Sequence, residues 1–75
     1  MQDQYWEIGE TAGKIYKFLE QKGESRISSV QNGADISDAA LFNQALGWLA
    51  REDKINFAKN GKVFKISLAG QTVQT

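Results

Sequence analysis

Asn43 and Gln44 stand side by side, and four lysines, Lys54, Lys59, Lys62 and Lys65, crowd the last third of the chain. A carboxamide offers a donor and an acceptor together, which suits bidentate bonding to the major-groove edge of adenine. Ala39 and Ala40, just upstream, offer methyl groups for contact with thymine methyls. Gly47 permits a close approach of its backbone, and Arg51 can reach a phosphate. Lys59, Lys62 and Lys65 suit backbone phosphates, with Arg26, Lys14 and Lys17 as peripheral contacts.

Composition removes most other chemistry. There is no cysteine, hence no thiol nucleophile, disulfide or thiolate metal site. There is no histidine, so the commonest general base and transition-metal ligand are missing too. Glu52 and Asp53 are adjacent carboxylates, but neighbouring helical residues point roughly 100° apart and cannot share one substrate. No enzyme activity, cofactor, metal or small-molecule substrate is therefore expected. The net charge is zero, yet residues 54–75 carry four lysines and no acid, while residues 1–53 carry nine acids and five bases. The structure of that basic end decides what its charge is for.

The same residues have plain structural explanations. Amides and alanines on a helix surface are commonly just solvated. Lysines on a hairpin discourage edge-to-edge pairing with other chains. Trp48 falls within an apolar arc and reads as core.

The elements that must position these groups follow from periodicity. Tyr5, Ile8, Ala12, Ile15, Tyr16 and Leu19 recur at spacings of three and four and predict a helix over 4–21, with Phe18 at the stripe's edge and Trp6 well off it. Lys22-Gly23 is a helix stop. Arg26-Ile27-Ser28 reads as a very short strand, and Ser28-Ser29-Val30-Gln31 has the form of a capping box opening a brief helix. Val30 and Ile36 are its core anchors. A third helix is expected over 38–53, capped by Ser37, with Leu41, Phe42, Ala45, Leu46, Trp48 and Leu49 as its apolar face. Ile15 and Leu19 should pack on Leu41, Ala45 and Leu49, with Ile55 or Ile66 on the far side.

Asn60-Gly61 between two alternating runs is a strong hairpin signal. With those two residues as the loop, Lys59 faces Lys62, Phe57 faces Phe64 and Ile55 faces Ile66. The apolar pairs and Leu68 then share a buried face, leaving Asn56, Lys59, Lys62 and Lys65 to solvent or a partner.

Helix, short strand, short helix, helix and hairpin is the order of a winged helix-turn-helix. The expected fold class is α+β: three helices, a C-terminal two-stranded hairpin wing and a short third strand pairing with it. At 75 residues the chain is one domain, read as residues 1–68 with a polar tail over 69–75. Ile8-Gly9-Glu10-Thr11-Ala12-Gly13-Lys14-Ile15 and Leu46-Gly47-Trp48-Leu49-Ala50-Arg51-Glu52-Asp53-Lys54-Ile55 resemble the two signature stretches of a family of small, stand-alone bacterial winged helix-turn-helix domains of uncharacterised function. The resemblance implies the fold; it implies no activity.

In that fold the third helix is the element that enters the major groove. The expected function is nucleic-acid binding of the DNA-binding regulatory type, with double-stranded DNA as partner, carried by Ala40, Asn43, Gln44, Gly47 and Arg51 on the helix and Lys59, Lys62 and Lys65 on the wing. The alternative is a protein–protein interaction or homodimerisation module. Ala39, Asn43, Gly47 and Ala50 make a smooth line on the third helix, and Trp6 with Tyr5 offers another surface. Met1-Gln2-Asp3-Gln4 has no basic flank or apolar stretch, and there is no run of 18 apolar residues, so a cytoplasmic protein without a membrane span is expected.

Overall fold

The computed structural model describes residues 3–70. The chain runs α1 (Asp3–Lys22), β1 (Ser25–Arg26), α2 (Ile27–Gly33), α3 (Ala39–Arg51), β2 (Ile55–Asn60) and β3 (Val63–Leu68). The strands form one antiparallel sheet in the order β1-β3-β2. This is the winged helix-turn-helix arrangement expected from the element order, short third strand included. Of the expected 69–75 tail, only Ala69 and Gly70 fall within the described residues; the Ala69 N–H donates to the Lys54 carbonyl at 2.8 Å and closes the base of the hairpin.

The core joins one stripe of each long helix to one face of the sheet. Ala12, Ile15 and Leu19 come from α1, Val30 from α2, Phe42, Ala45, Leu46 and Leu49 from α3, and Ile55, Ile66 and Leu68 from the hairpin. Ile36, between α2 and α3, completes it. Three expectations are corrected. Phe42 of the expected apolar face is buried, but Leu41, expected in the contact with α1, is only half-buried. Trp48 is 44% exposed, not core, because the buried arc of α3 is centred on Phe42, Ala45 and Leu49. Tyr16, on the expected stripe of α1, is also exposed, and the side chain of Tyr5 lies outside the described ones.

Local capping differs from expectation in both later helices. The Ser28/Gln31 capping box does not form, because α2 starts two residues early, at Ile27 with Arg26 as its N-cap, so Ile27 and Ser28 are helical and not part of the expected strand. Gln31 Nε2 instead donates to the Ile36 carbonyl at 3.0 Å and holds the following turn. Asp38, not Ser37, caps α3: its Oδ1 accepts from the Leu41 N–H at 3.1 Å.

Both α2 and α3 end in a Schellman arrangement. After α2, the Ile36 N–H bonds the Gln31 carbonyl and the Asp35 N–H bonds that of Asn32, at 3.0 and 3.1 Å. After α3, Lys54 N–H bonds Leu49 and Asp53 N–H bonds Ala50, at 2.9 and 3.1 Å. The left-handed position is an aspartate each time, Asp35 at φ 60° and Asp53 at φ 58°. Helix α3 thus ends at Arg51, and the acids Glu52 and Asp53 fall in the turn beyond it.

The hairpin register is two residues away from expectation. Phe57 lies opposite Ile66, Lys59 opposite Phe64 and Ile55 opposite Leu68, and Asn60 pairs with Val63. The loop is therefore Gly61-Lys62, with Gly61 at φ 68° in the first central position, where a type II′ turn places glycine. A shift of two preserves the face of every side chain. Ile55, Ile66 and Leu68 are buried together as expected, but Phe57 and Phe64 are each 49% exposed. The gain is a pair of buried residues, Ile55 and Leu68, at the base of the sheet. Lys59 shares the face of Phe57 and Phe64, contrary to its expected placement with Asn56 and Lys65, and its Nζ lies 5.5 Å from the centre of the Phe64 ring.

Two stability measurements test this packing. Leu49→Ala should lower the unfolding free energy by about 2–5 kcal/mol, whereas Leu41→Ala should cost clearly less; equal losses in denaturant titrations would contradict the helical phase. Gly33 lies under the Phe18 ring, and a Cβ there would clash with it. Gly33→Ala should therefore cost about 1 kcal/mol in the parent and become neutral or stabilising in a Phe18→Ala background, where only helix propensity remains. The same cost in both backgrounds would rule out the contact.

Candidate nucleic-acid interface

Helix α3 buries Phe42, Ala45, Leu46 and Leu49 and so must turn its opposite side outward. Ala40, Asn43, Gln44, Gly47 and Arg51 fall within an arc of about 100° on that side, and all five are exposed. The arc expected to read bases is thus one continuous face. Arg51 lies about 12 Å along the axis from Asn43, at the far end of the face. At the near end stands Asp38, whose carboxylate is held there by its capping bond.

The wing and the start of α2 meet this helix across an open groove of about 500 Å³. Its polar lining comes from four elements: Arg26 of β1, Ser28 and Gln31 of α2, Asn43 of α3 and Lys62 of the wing turn. Ile27, Phe42, Val63 and Phe64 supply the apolar part. The structure therefore brings Asn43 and Lys62, 19 residues apart in sequence, to one site. Phe64 carries Lys59 over its ring, so that ammonium stands beside the groove's edge. A cation over a ring face is held weakly, by about 0.5–1 kcal/mol at an exposed site, so Lys59 keeps its charge available to a ligand.

Lys65 does not line the groove. It lies directly opposite Arg26 in the β1–β3 ladder. Like charges in directly opposed positions destabilise a sheet. Sequence reading placed Arg26 only at the periphery. Its central position follows from the pairing of a two-residue strand, for which the local sequence has no distinctive pattern. Ser28 and Gln31, the expected cap pair, line the groove instead, a placement that also depends on tertiary structure.

The arrangement offers amide donors and acceptors on a helix of major-groove dimensions, with cations on the flanking strands. It offers no paired carboxylates or nucleophile–base pair in the groove, and among the described residues there is no cluster of side chains able to hold a metal ion. No described helix is long and apolar enough to cross a membrane.

Comparison with known proteins agrees with the fold. Residues 1–68 match the family model of the winged helix-turn-helix domain (DUF2582). The chain is also 43% identical over 70 residues to the uncharacterized protein MJ1608 of Methanocaldococcus jannaschii, an alignment covering 91% of this chain and 99% of that one. That relative is archaeal. With the fold, the family match and a full-length relative in agreement, the chain belongs to the DUF2582 family of winged helix-turn-helix domains.

Proposed function

We propose that this domain binds double-stranded DNA in a regulatory role, with α3 as the reading helix and the β2–β3 hairpin as the wing. The observation that carries this reading is the groove in which Asn43, Arg26 and Lys62 converge from three separate elements. Asn43 and Gln44 meet base edges, Ala40 contacts a thymine methyl, and Gly47 lets the groove floor approach the helix. Arg26, Lys59, Lys62 and Lys65 hold the phosphate backbone, with Arg51 at the far end of α3. No catalytic step is part of this reading.

Binding of this kind is modest and salt-sensitive, since few cations are involved. Titration of mixed duplex DNA at two salt concentrations should give a log–log slope no steeper than about −3.6 for the four cations Arg26, Lys59, Lys62 and Lys65, or about −4.5 if Arg51 takes part. Arg26→Glu combined with Lys62→Glu should abolish binding while leaving the fold intact. No shift at low salt with either duplex or single strands would remove the proposal.

Asp38 supplies a test that separates stability from binding. Its carboxylate caps α3 but also places a negative charge where phosphates would approach. Asparagine caps about as well as aspartate. Asp38→Asn should therefore leave stability within about 0.5 kcal/mol and raise DNA affinity several-fold at low salt. Unchanged or weaker binding would place the duplex away from the front of α3.

A further inference from the structure

Trp6 on α1 is 70% exposed, Tyr16 on the same helix 39%, and Trp48 on α3 44%. Tyr16 and Trp48 wall a groove of about 250 Å³ floored by Gly9, Ala12 and Gly13. Trp6, Gly9, Gly13 and Tyr16 recur at spacings of three, four and three, which puts them on one stripe of α1. That stripe is not the buried one, which runs through Ala12, Ile15 and Leu19. A glycine inside a helix costs about 1 kcal/mol relative to alanine. A Cβ at Gly9 or Gly13 would meet nothing within 4 Å, so packing within one chain does not explain either glycine.

We infer that two copies of this chain pair through α1, antiparallel about a two-fold axis, with Gly9 of each chain against the partner's Gly13 and Trp6 of each entering the groove walled by the partner's Tyr16 and Trp48. The spacing makes the stripe self-complementary, as a two-fold interface requires: reversed, it has the same order of bulky, small, small, bulky. The glycines let the backbones approach, and the aromatic rings fill the space at either end.

Charge selects the second copy and its direction. Glu7 and Glu10 on the N-terminal half of α1 are exposed, as are Lys14 and Lys17 on the C-terminal half. An antiparallel pair sets Glu10 near the partner's Lys14 and Glu7 near the partner's Lys17, whereas a parallel pair opposes like charges. The six exposed rings supply roughly half of the ~1,200 Å² at which specific dimers begin, and the helix flanks supply the rest. Of α3 only the Trp48 edge takes part, so the face carrying Asn43 and Gly47 stays free and the pairing holds or fails independently of DNA binding.

Sedimentation equilibrium of the full chain between about 5 and 500 µM tests this. The parent should dimerise within that range. Trp6→Ala and Gly13→Glu should each raise the dissociation constant at least tenfold while circular dichroism and melting stay those of a folded domain; Gly47→Arg, on α3, should leave it unchanged. Glu7→Lys with Glu10→Lys, and Lys14→Glu with Lys17→Glu, should each give a monomer alone and a heterodimer when mixed. A parent that is monomeric throughout the range overturns the inference, as does a dimer that survives both Trp6→Ala and Gly13→Glu or is lost in Gly47→Arg. Failure of the two charge-reversed chains to pair overturns the antiparallel arrangement.

Discussion

Strand β3 is hydrogen-bonded along both edges, and the rest of the domain takes its positions from it. Ile66 at its centre is fully buried, opposite Phe57 on one side and Ser25 on the other. Through β1 it fixes where α2 begins, and through β2 it fixes the end of the loop leaving α3. Every side chain of the groove outside the helices is therefore placed by the register of one strand. Moving that register by two residues would keep the faces but shift Lys62 and Phe64 along the sheet by roughly two residue lengths, about 7 Å. The groove would then no longer have Arg26 and Lys62 on it together.

The turns at the ends of α2 and α3 translate that register into helix positions. In each, the chain reverses through a left-handed aspartate and two backbone hydrogen bonds. Ile36 follows the first turn straight into the core beside Val30, the apolar contact that commonly accompanies such a cap. The angle of α3 relative to α2 is thus set by backbone bonds and one buried isoleucine. Glycine is the usual residue at this position; aspartate tolerates it at some cost. Asp53 and Glu52 also set two negative charges at the end of α3 remote from the groove.

The surface divides into two regions of different character. Beside α3 and the wing, Arg26 and Lys62 line one groove, and Asp38 is held at the front of α3 by its role as a cap. On the outer side of α1, aromatic rings and unneeded glycines occupy surface that water alone would not select. A dimer through α1 would present two α3 faces at once, and a symmetric reader of DNA requires such a pair at a fixed spacing. The two surfaces share only α3, which turns Trp48 toward one and Asn43 toward the other.

Local sequence determined most of the secondary structure. The apolar stripe of α1, the buried arc of α3 around Ala45 and Leu49, and the position of the hairpin were all legible, because each depends on periodicity within a single segment. The face that carries Ala40, Asn43, Gln44, Gly47 and Arg51 was legible for the same reason: burying one side of a helix exposes the other. Tertiary structure decided what periodicity leaves free. Asn60-Gly61 admits two loops whose registers differ by two residues and bury the same face, and the choice between them came from matching Ile55 with Leu68 at the base of the sheet. Whether Trp48 and Tyr16 are covered depended on how far α1 and α3 overlap. The joining of Arg26 to Lys62 and Asn43 in one groove depended on a two-residue strand finding β3, a long-range pairing with no local signature.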